Sequence, residues 1–474
     1  MERSIAQGPL TDVRTSRRPA TRSSARSTVL IGLAIAAALF VVYVASNPQR
    51  PSYYNHFVWQ AEAFLDGRAT IRFPVADGPA GHGNDLFQDV VPAAGPHGEA
   101  TGYGLLPFPP LPAVVLMPFV AIWGLSTDAQ LIAALIGALD VAIAFWCLGR
   151  LPIGRRVRIA TTLFLGLGTV LWYAAELGTT WYLAHVVAVG LTLLAIGVAL
   201  SRDPAAAAGE PDDEASVAAA AALRRLGLDP GQVLAGFLFG LACTARLTIV
   251  FGLPFFVLVG GGGDRVRRAG SAILGLSIPI GVLLAYTWAT TGHLLNPGYE
   301  VLYQAETASY PQLAYHPGWG IEDPRYLLQN LGLFLGGLPS ILPDLPDCAA
   351  GAPREFFSTI CPIVAPRDVG MGLFLTSPAW LLGFASLRWF GRDRLVTGAA
   401  IAVLAIALVD LMHFSQGWVQ FGYRFSNDYA PFGLILLALA LEAGGRLRRL
   451  GYVLIALSIA IVAWGVTWGH LYGW

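Results

Sequence analysis

Runs of roughly 20 apolar residues recur along the whole chain, and that is the length needed to cross a bilayer. No other feature constrains the fold as tightly. A segment in hydrocarbon must satisfy its own backbone hydrogen bonds, which leaves helices or closed barrels as solutions. The 474 residues are 55% hydrophobic and only 13% charged, whereas about a quarter of a soluble domain is charged. The chain therefore reads as an all-α polytopic membrane protein. Its formal net charge is zero, so nothing in the balance points to nucleic acid.

All 30 basic residues are Arg, which removes lysine-based covalent chemistry and favours bidentate contacts to phosphate. Their clusters orient the spans. Arg-rich turns at 150–158, 224–225, 265–268, 388–394 and 446–449 should lie in the cytoplasm. Residues 1–27 read as a disordered cytoplasmic tail with no cleavable leader. The membrane domain covers 28–469, with spans predicted near 28–46, 126–149, 159–177, 180–200, 270–290, 371–389, 395–413, 429–444 and 451–469. The stretch 231–262 is too long for one span, and reads as two short helices turning near Arg246. The total is about 11. Residues 105–124 are apolar but hold five prolines. They are expected to form a juxtamembrane or re-entrant helix; a crossing there would make about 12 spans.

This topology exports three loops, at 47–125, 291–370 and 414–428, and leaves 201–230 as a flexible cytoplasmic linker. In the first loop, NHFVWQAEAFLDGRAT reads as an amphipathic helix. Phe57 and Ala61 fall on its apolar side; Asn55, Trp59 and Glu62 fall on a side that can line a cavity. Asp85 and Asp89 follow, and a carboxylate in a partly desolvated cleft can take a proton from a hydroxyl. In the third loop Arg424 and Asp428 are four apart, so Asp428 is expected to brace a guanidinium aimed at phosphate. Tyr423 and its aromatic neighbours offer rings for stacking on sugar or isoprenoid. Within the spans, Asp140 and Arg246 are candidates to pair, while Glu176 and His185 lie near the exported side. Cys348 and Cys361 share an exported loop and could form a disulfide. The scattered histidines have no metal-ligand spacing. The pattern requires no cofactor and leaves room for a divalent metal.

The chain also resembles a known superfamily. The segments carrying the likeness are NHFVWQAEAFLDGR, YGLLPFPPLPA, TARLT at 244–248, LTSPAWLL at 375–382 and QFGYRFSNDYAPF at 420–432. In that order they resemble the GT-C membrane glycosyltransferases, in particular the protein mannosyltransferase and aminoarabinose transferase group. The resemblance implies transfer of a hexosyl or pentosyl group from a polyprenyl phosphate to an acceptor hydroxyl on the exported face, with inversion. A glycan, a lipid or a protein could be the acceptor, at the plasma membrane of a bacterium. It also implies a carboxylate base in the first exported loop and basic groups on the phosphate. Relatives carry an acidic pair at the start of the juxtamembrane helix; here Tyr53, Tyr54, Asn55 and His56 stand there. The expected base is therefore Asp89 or Asp85, with Glu62 and His56 behind. Arg424 is the expected phosphate contact. A lipid or solute transporter, or a non-catalytic membrane scaffold, are the alternatives.

Overall fold

The computed structural model describes residues 22–48, 54–72, 89–94, 100–203, 223–298, 300, 316, 318–344, 348–349, 351–356, 358, 360–367, 369–417 and 420–471. Asp85, most of the N-terminal tail and most of the 201–230 linker lie outside them.

The helices in chain order are α1 (Arg22–Ser46), α2 (His56–Leu65), α3 (Leu111–Trp123), α4 (Ala129–Leu148), α5 (Arg155–Leu167), α6 (Leu171–Leu177) and α7 (Thr180–Arg202). After these come α8 (Pro230–Cys243), α9 (Leu253–Leu258), α10 (Arg265–Thr291), α11 (Leu327–Gly336), α12 (Leu373–Thr376), α13 (Arg394–Met412), α14 (Ser426–Glu442) and α15 (Gly445–Leu471). Among the described residues six helices are long and apolar enough to cross a membrane, or seven if α5 and α6, bent by 47°, are one span. The protein is a multi-pass membrane protein. The expected total near 11 also counted shorter apolar pieces. These are α8, the 3₁₀-to-helix run Leu247–Leu258, the 3₁₀ stretch Pro378–Trp389 and the 17-residue α14.

Helix starts follow local chemistry. Asp128, Asp229, Asp264 and Asp393 each accept a backbone N–H from the first turn of α4, α8, α10 and α13. Each meets donors that have no partner within the helix and complements the positive end of its dipole. Helix α3 spans 13 residues with Pro118 inside. At about 1.5 Å per residue it is roughly 20 Å long, short of the ~30 Å hydrocarbon core.

Burial sorts the helices into an inner and an outer set. Helix α7 is 83% buried over its apolar window, and every residue from Ser426 to Leu441 of α14 is buried. Helices α1, α10 and α15 are only 22%, 28% and 33% buried. They expose Val41, Ile278, Val282 and Val453 as a lipid-facing surface should. Helices α8 and α10 pack backbone to backbone. A Cβ on Gly275 would lie 2.0 Å from the Val233 carbonyl oxygen, and one on Gly236 would lie 2.1 Å from that of Ala272. Small residues allow such approach where lipid supplies no hydrophobic drive between helices.

Two small sheets sit beside the helices. Strands β1 (Ile71–Arg72), β2 (Val91–Ala94) and β3 (Ala100–Leu105) form an antiparallel sheet in the order β1-β3-β2, pairing Ile71 with Gly104 and Val91 with Leu105. Its small core of Trp59, Ala63, Ile71, Val90 and Leu106 pins α2 from one side. Helix α2 therefore departs from the amphipathic expectation. His56, Trp59 and Gln60 are as buried as Phe57 and Ala61, and only its last turn opens. Strands β4 (Ser340–Ile341) and β5 (Val364–Ala365) pair antiparallel, and between them Cys348 and Cys361 are joined by a disulfide.

Replacing Gly275 by Val should force α8 and α10 apart, at a cost of about 1–3 kcal/mol of overpacking. The same change at Gly281, where a Cβ meets nothing within 4 Å, should be nearly neutral. Thermal unfolding of both variants in detergent checks the contrast.

Candidate functional site

The first turns of α7 organise the polar end of the bundle. Four of its residues, Thr180, Trp181, Tyr182 and His185, make the contacts. The Thr180 hydroxyl donates to the Tyr54 carbonyl at 2.6 Å, and the same oxygen receives the His56 backbone N–H and meets His56 Nδ1. Trp181 Nε1 donates to Asp89 Oδ2 at 3.0 Å. The Tyr182 ring lies 5.6 Å from the Arg424 guanidinium carbon. His185 Nδ1 is 2.7 Å from Asp428 Oδ1.

Asp428 is the most heavily bonded of these groups. Arg246 donates to it from Nε at 3.1 Å and from Nη2 at 2.8 Å, and the Thr248 hydroxyl donates at 2.6 Å. The carboxylate is buried, whereas the Arg246 side chain keeps 22% of its surface. Arg246 stands where the chain turns between α8 and the 3₁₀ turn Leu247–Gly252. Arg246 and Arg424 both lie over the Phe425 ring, at 5.2 and 5.3 Å, within cation–π reach. Asp410, 1% exposed, is close enough to interact electrostatically with both Asp428 and Arg246.

Two expected pairings are corrected. Asp428 braces Arg246 and not Arg424, because α14 begins at Ser426, so 424 and 428 do not share a helical face. Asp140 packs against Gly190 and is not the partner of Arg246. Asp89 is 2% exposed and takes a left-handed backbone, with φ of 68°. Tyr423 is buried against Phe334 and Phe425. Glu62 faces Arg68 at 4.0 Å on the open last turn of α2. Asn55 stands at the N-cap position of α2 without a side-chain cap bond. Glu176 is buried in α6 near Tyr43 and Tyr173, its carbonyl bonded to Asn47. The structure thus gathers Asp89, His56, Arg424, His185 and Asp428 along one stretch of α7. Arg246 and Thr248 join them. Their signal was the TARLT turn, a charge inside an apolar stretch.

His56 is enclosed by the rings of Tyr54, Trp59, Phe108 and Trp181. Burial pulls its pKa down to about 3, so it is a neutral imidazole. Among the described residues no three His, Cys, Asp or Glu side chains are grouped to hold a metal ion.

An apolar groove of about 760 Å³ opens beside this cluster. Phe64, Leu111, Val114, Leu241, Val282 and Tyr286 line it, as does Thr244, two residues before Arg246. The groove carries one guanidinium of its own, Arg68; Arg246, fixed by the buried Asp428 carboxylate, follows two residues after its Thr244.

No family model matches the sequence, and no curated protein sequence matches it. Solved structures do. The crystal structure of ArnT from Cupriavidus metallidurans bound to undecaprenyl phosphate superposes with a TM-score of 0.51 over 94% of this chain and 77% of that one. The chain shares the fold of that ArnT structure. Identity with ArnT is 14%. The apo oligosaccharyltransferase of Archaeoglobus fulgidus gives a TM-score of 0.47 at 14% identity, over 93% of this chain and 55% of that one. Within this fold the described cluster lies where α2, α7, α14 and the α8 turn meet.

Asp428→Leu should cost about 3 kcal/mol, because it strands the Arg246 charge in a largely dry setting. Pairing it with Arg246→Met should recover most of that loss, and a double-mutant cycle of unfolding midpoints checks it. His56 supplies a pH test. Its pKa is lowered on folding from an unperturbed value near 6.5, so the unfolded chain binds the extra proton. Stability should be unaffected above pH ~6.5 and fall by up to about 1.4 kcal/mol per pH unit below it, down to pH ~3. His56→Gln should flatten that slope in thermal unfolding across the same range.

Proposed function

We propose that this protein transfers a hexosyl or pentosyl group from a polyprenyl-phosphate donor to an acceptor hydroxyl on a glycan, lipid or protein. The reaction takes place on the exported face of a bacterial plasma membrane, with the N-terminus of the chain in the cytoplasm. One observation carries the reading: Arg246 and Arg424 both lie over the Phe425 ring, at the end of the bundle where Trp181 holds Asp89, and Thr244, two residues before Arg246, lines the apolar groove. The Arg-rich turns at 155–158 and 265–268 begin α5 and α10, at the ends away from this site, which favours an exported site under the positive-inside rule. The Cys348–Cys361 disulfide fits an oxidising compartment. The bound lipid in the ArnT structure is a polyprenyl phosphate.

In this reading the isoprenoid lies in the groove, and its phosphate faces Arg246, whose remaining N–H groups are aimed by Asp428. Arg424 adds a second positive charge. The acceptor oxygen attacks the anomeric carbon as its proton passes to Asp89, and the bond from that carbon to the phosphate oxygen breaks. Attack from the face opposite the leaving group inverts the centre. Guanidinium groups held in a site shielded from water stabilise the developing phosphate charge. Asp89, oriented by the indole N–H, contributes as general base.

Asp89→Asn should lower transfer from a polyprenyl-phosphate sugar by roughly 100-fold or more while leaving the unfolding midpoint close to wild type. Arg246→Ala should lose roughly 100-fold, and Arg246→Lys should recover only part, since an ammonium cannot bond Asp428 and phosphate in the same fork. Full turnover by both Asp89→Asn and Arg246→Ala in proteoliposomes would remove the mechanism. Movement of polyprenyl phosphate across the vesicle without glycoside formation would identify a lipid transporter instead.

A further inference from the structure

The apolar groove has a charge of its own, and that charge has company. Arg68 is the one ionisable group among the described residues lining it, Tyr286 aside. Its place follows from the sequence LDGR. Helix α2 ends at Leu65, and Gly67 takes a left-handed φ of 70°. The Arg68 backbone N–H then turns back onto the Ala63 carbonyl at 2.7 Å, the closing bond of a glycine-terminated helix. The side chain is held from three directions. Nη1 donates to the Thr70 carbonyl at 2.9 Å, Nη2 donates to Asp66 Oδ2 at 2.7 Å, and the guanidinium carbon lies 5.6 Å from the centre of the Tyr103 ring. A guanidinium has five N–H groups, so these two bonds leave three for a ligand.

Two carboxylates stand beside Arg68, next to the groove and not in its wall. Asp66 is the bonded one, and Glu62 Oε2 lies 4.0 Å from Nη2. The side chains of Arg68, Glu62 and Asp66 keep 25%, 27% and 51% of their surface, so a headgroup can reach all three. Together they carry one net negative charge. A bare anion drawn to Arg68 meets two carboxylates, and a bare cation drawn to the carboxylates meets Arg68. A ligand that carries both signs a few bonds apart satisfies the whole trio.

The groove itself asks for an apolar chain. Val114 of α3 and Ile278 and Val282 of α10 line it and are also exposed on the outer surface, so it opens sideways toward lipid. The hydroxyls in its wall are already engaged. Thr244 donates to the Leu241 carbonyl at 2.8 Å, and the Tyr286 oxygen receives Gln60 Nε2 at 3.3 Å. At about 760 Å³ the groove falls within the ~300–1,000 Å³ of ligand pockets.

We propose that the groove is a binding site for a zwitterionic phospholipid of the phosphatidylethanolamine type. An acyl chain lies along Val114, Leu241 and Val282. The phosphate takes the remaining N–H groups of Arg68, a contact for which guanidinium geometry is suited, and the ammonium sits against Glu62 and Asp66. The phospholipid site stands without the transferase reading. Where the isoprenoid uses the same groove, as proposed above, the two lipids exclude one another, and the phospholipid is what the donor displaces.

The test is native mass spectrometry of the delipidated full chain in detergent. The probes are dioleoyl phosphatidylethanolamine, dioleoyl phosphatidylglycerol with the same chains, and undecaprenyl phosphate. Wild type should hold the ethanolamine lipid about fivefold more tightly than the glycerol lipid, the upper weight of an exposed ion pair. Arg68→Gln should weaken the ethanolamine lipid by about the same factor. Glu62→Gln combined with Asp66→Asn removes the partners of the ammonium and the repulsion of the anion, so the preference should reverse toward phosphatidylglycerol. Such a reversal is a gain that a misfolded chain cannot show. A wild type that favours phosphatidylglycerol, a preference unchanged in the double variant, or no phospholipid retained by a chain that still binds undecaprenyl phosphate would overturn the site and leave the transferase reading intact. Complexes holding both the ethanolamine lipid and undecaprenyl phosphate, with the reversal observed, would keep the phospholipid site and remove the isoprenoid from the groove.

Discussion

The Asp428 carboxylate is the constraint around which the polar end of the molecule is arranged. It sits in the first turn of α14, and it ties that helix to α7 through His185 and to the α8 turn through Arg246 and Thr248. Burying such a charge is expensive unless every lone pair is matched, and here three side chains match it. The arrangement has a geometric result. Arg246 cannot wander, so its guanidinium has a set direction. Phe425 then brings Arg424 against the same ring.

A second principle is the division between buried and lipid-facing helices. The almost wholly buried α14 carries Asp428 and the largely buried α7 carries His185, while the groove is lined mainly by the helices around them. Glycines make the inner contacts short where the α8–α10 pair forms one groove wall. Polar chemistry is thereby confined to a rigid interior, while the apolar wall stays next to bilayer.

Much of the scaffold was legible in the sequence. Apolar run length marked α1, α4, α7, α10, α13 and α15 to within a few residues. The excess length of 231–262, with a charge at its centre, revealed the turn at Arg246. Proline density kept α3 short. What failed was local periodicity read across an element boundary. Arg424 and Asp428 look like a helical pair, yet the helix starts between them. The polar stripe of α2 looked wet, yet strands from residues 71–105 cover it. Those strands are two to six residues long, too short to leave a pattern. Partners distant in sequence, such as Trp181 with Asp89, leave no trace in spacing at all.

The groove has one further consequence. Its outer wall is α10, a helix that is itself mostly bathed in lipid. Under the proposed transfer, the donor's prenyl chain would slide in sideways from the leaflet and never cross water. Encounter is then a two-dimensional search, governed by the mole fraction of carrier in the membrane. Diluting the carrier with inert phospholipid would slow capture even at constant bulk concentration, whereas adding buffer would not.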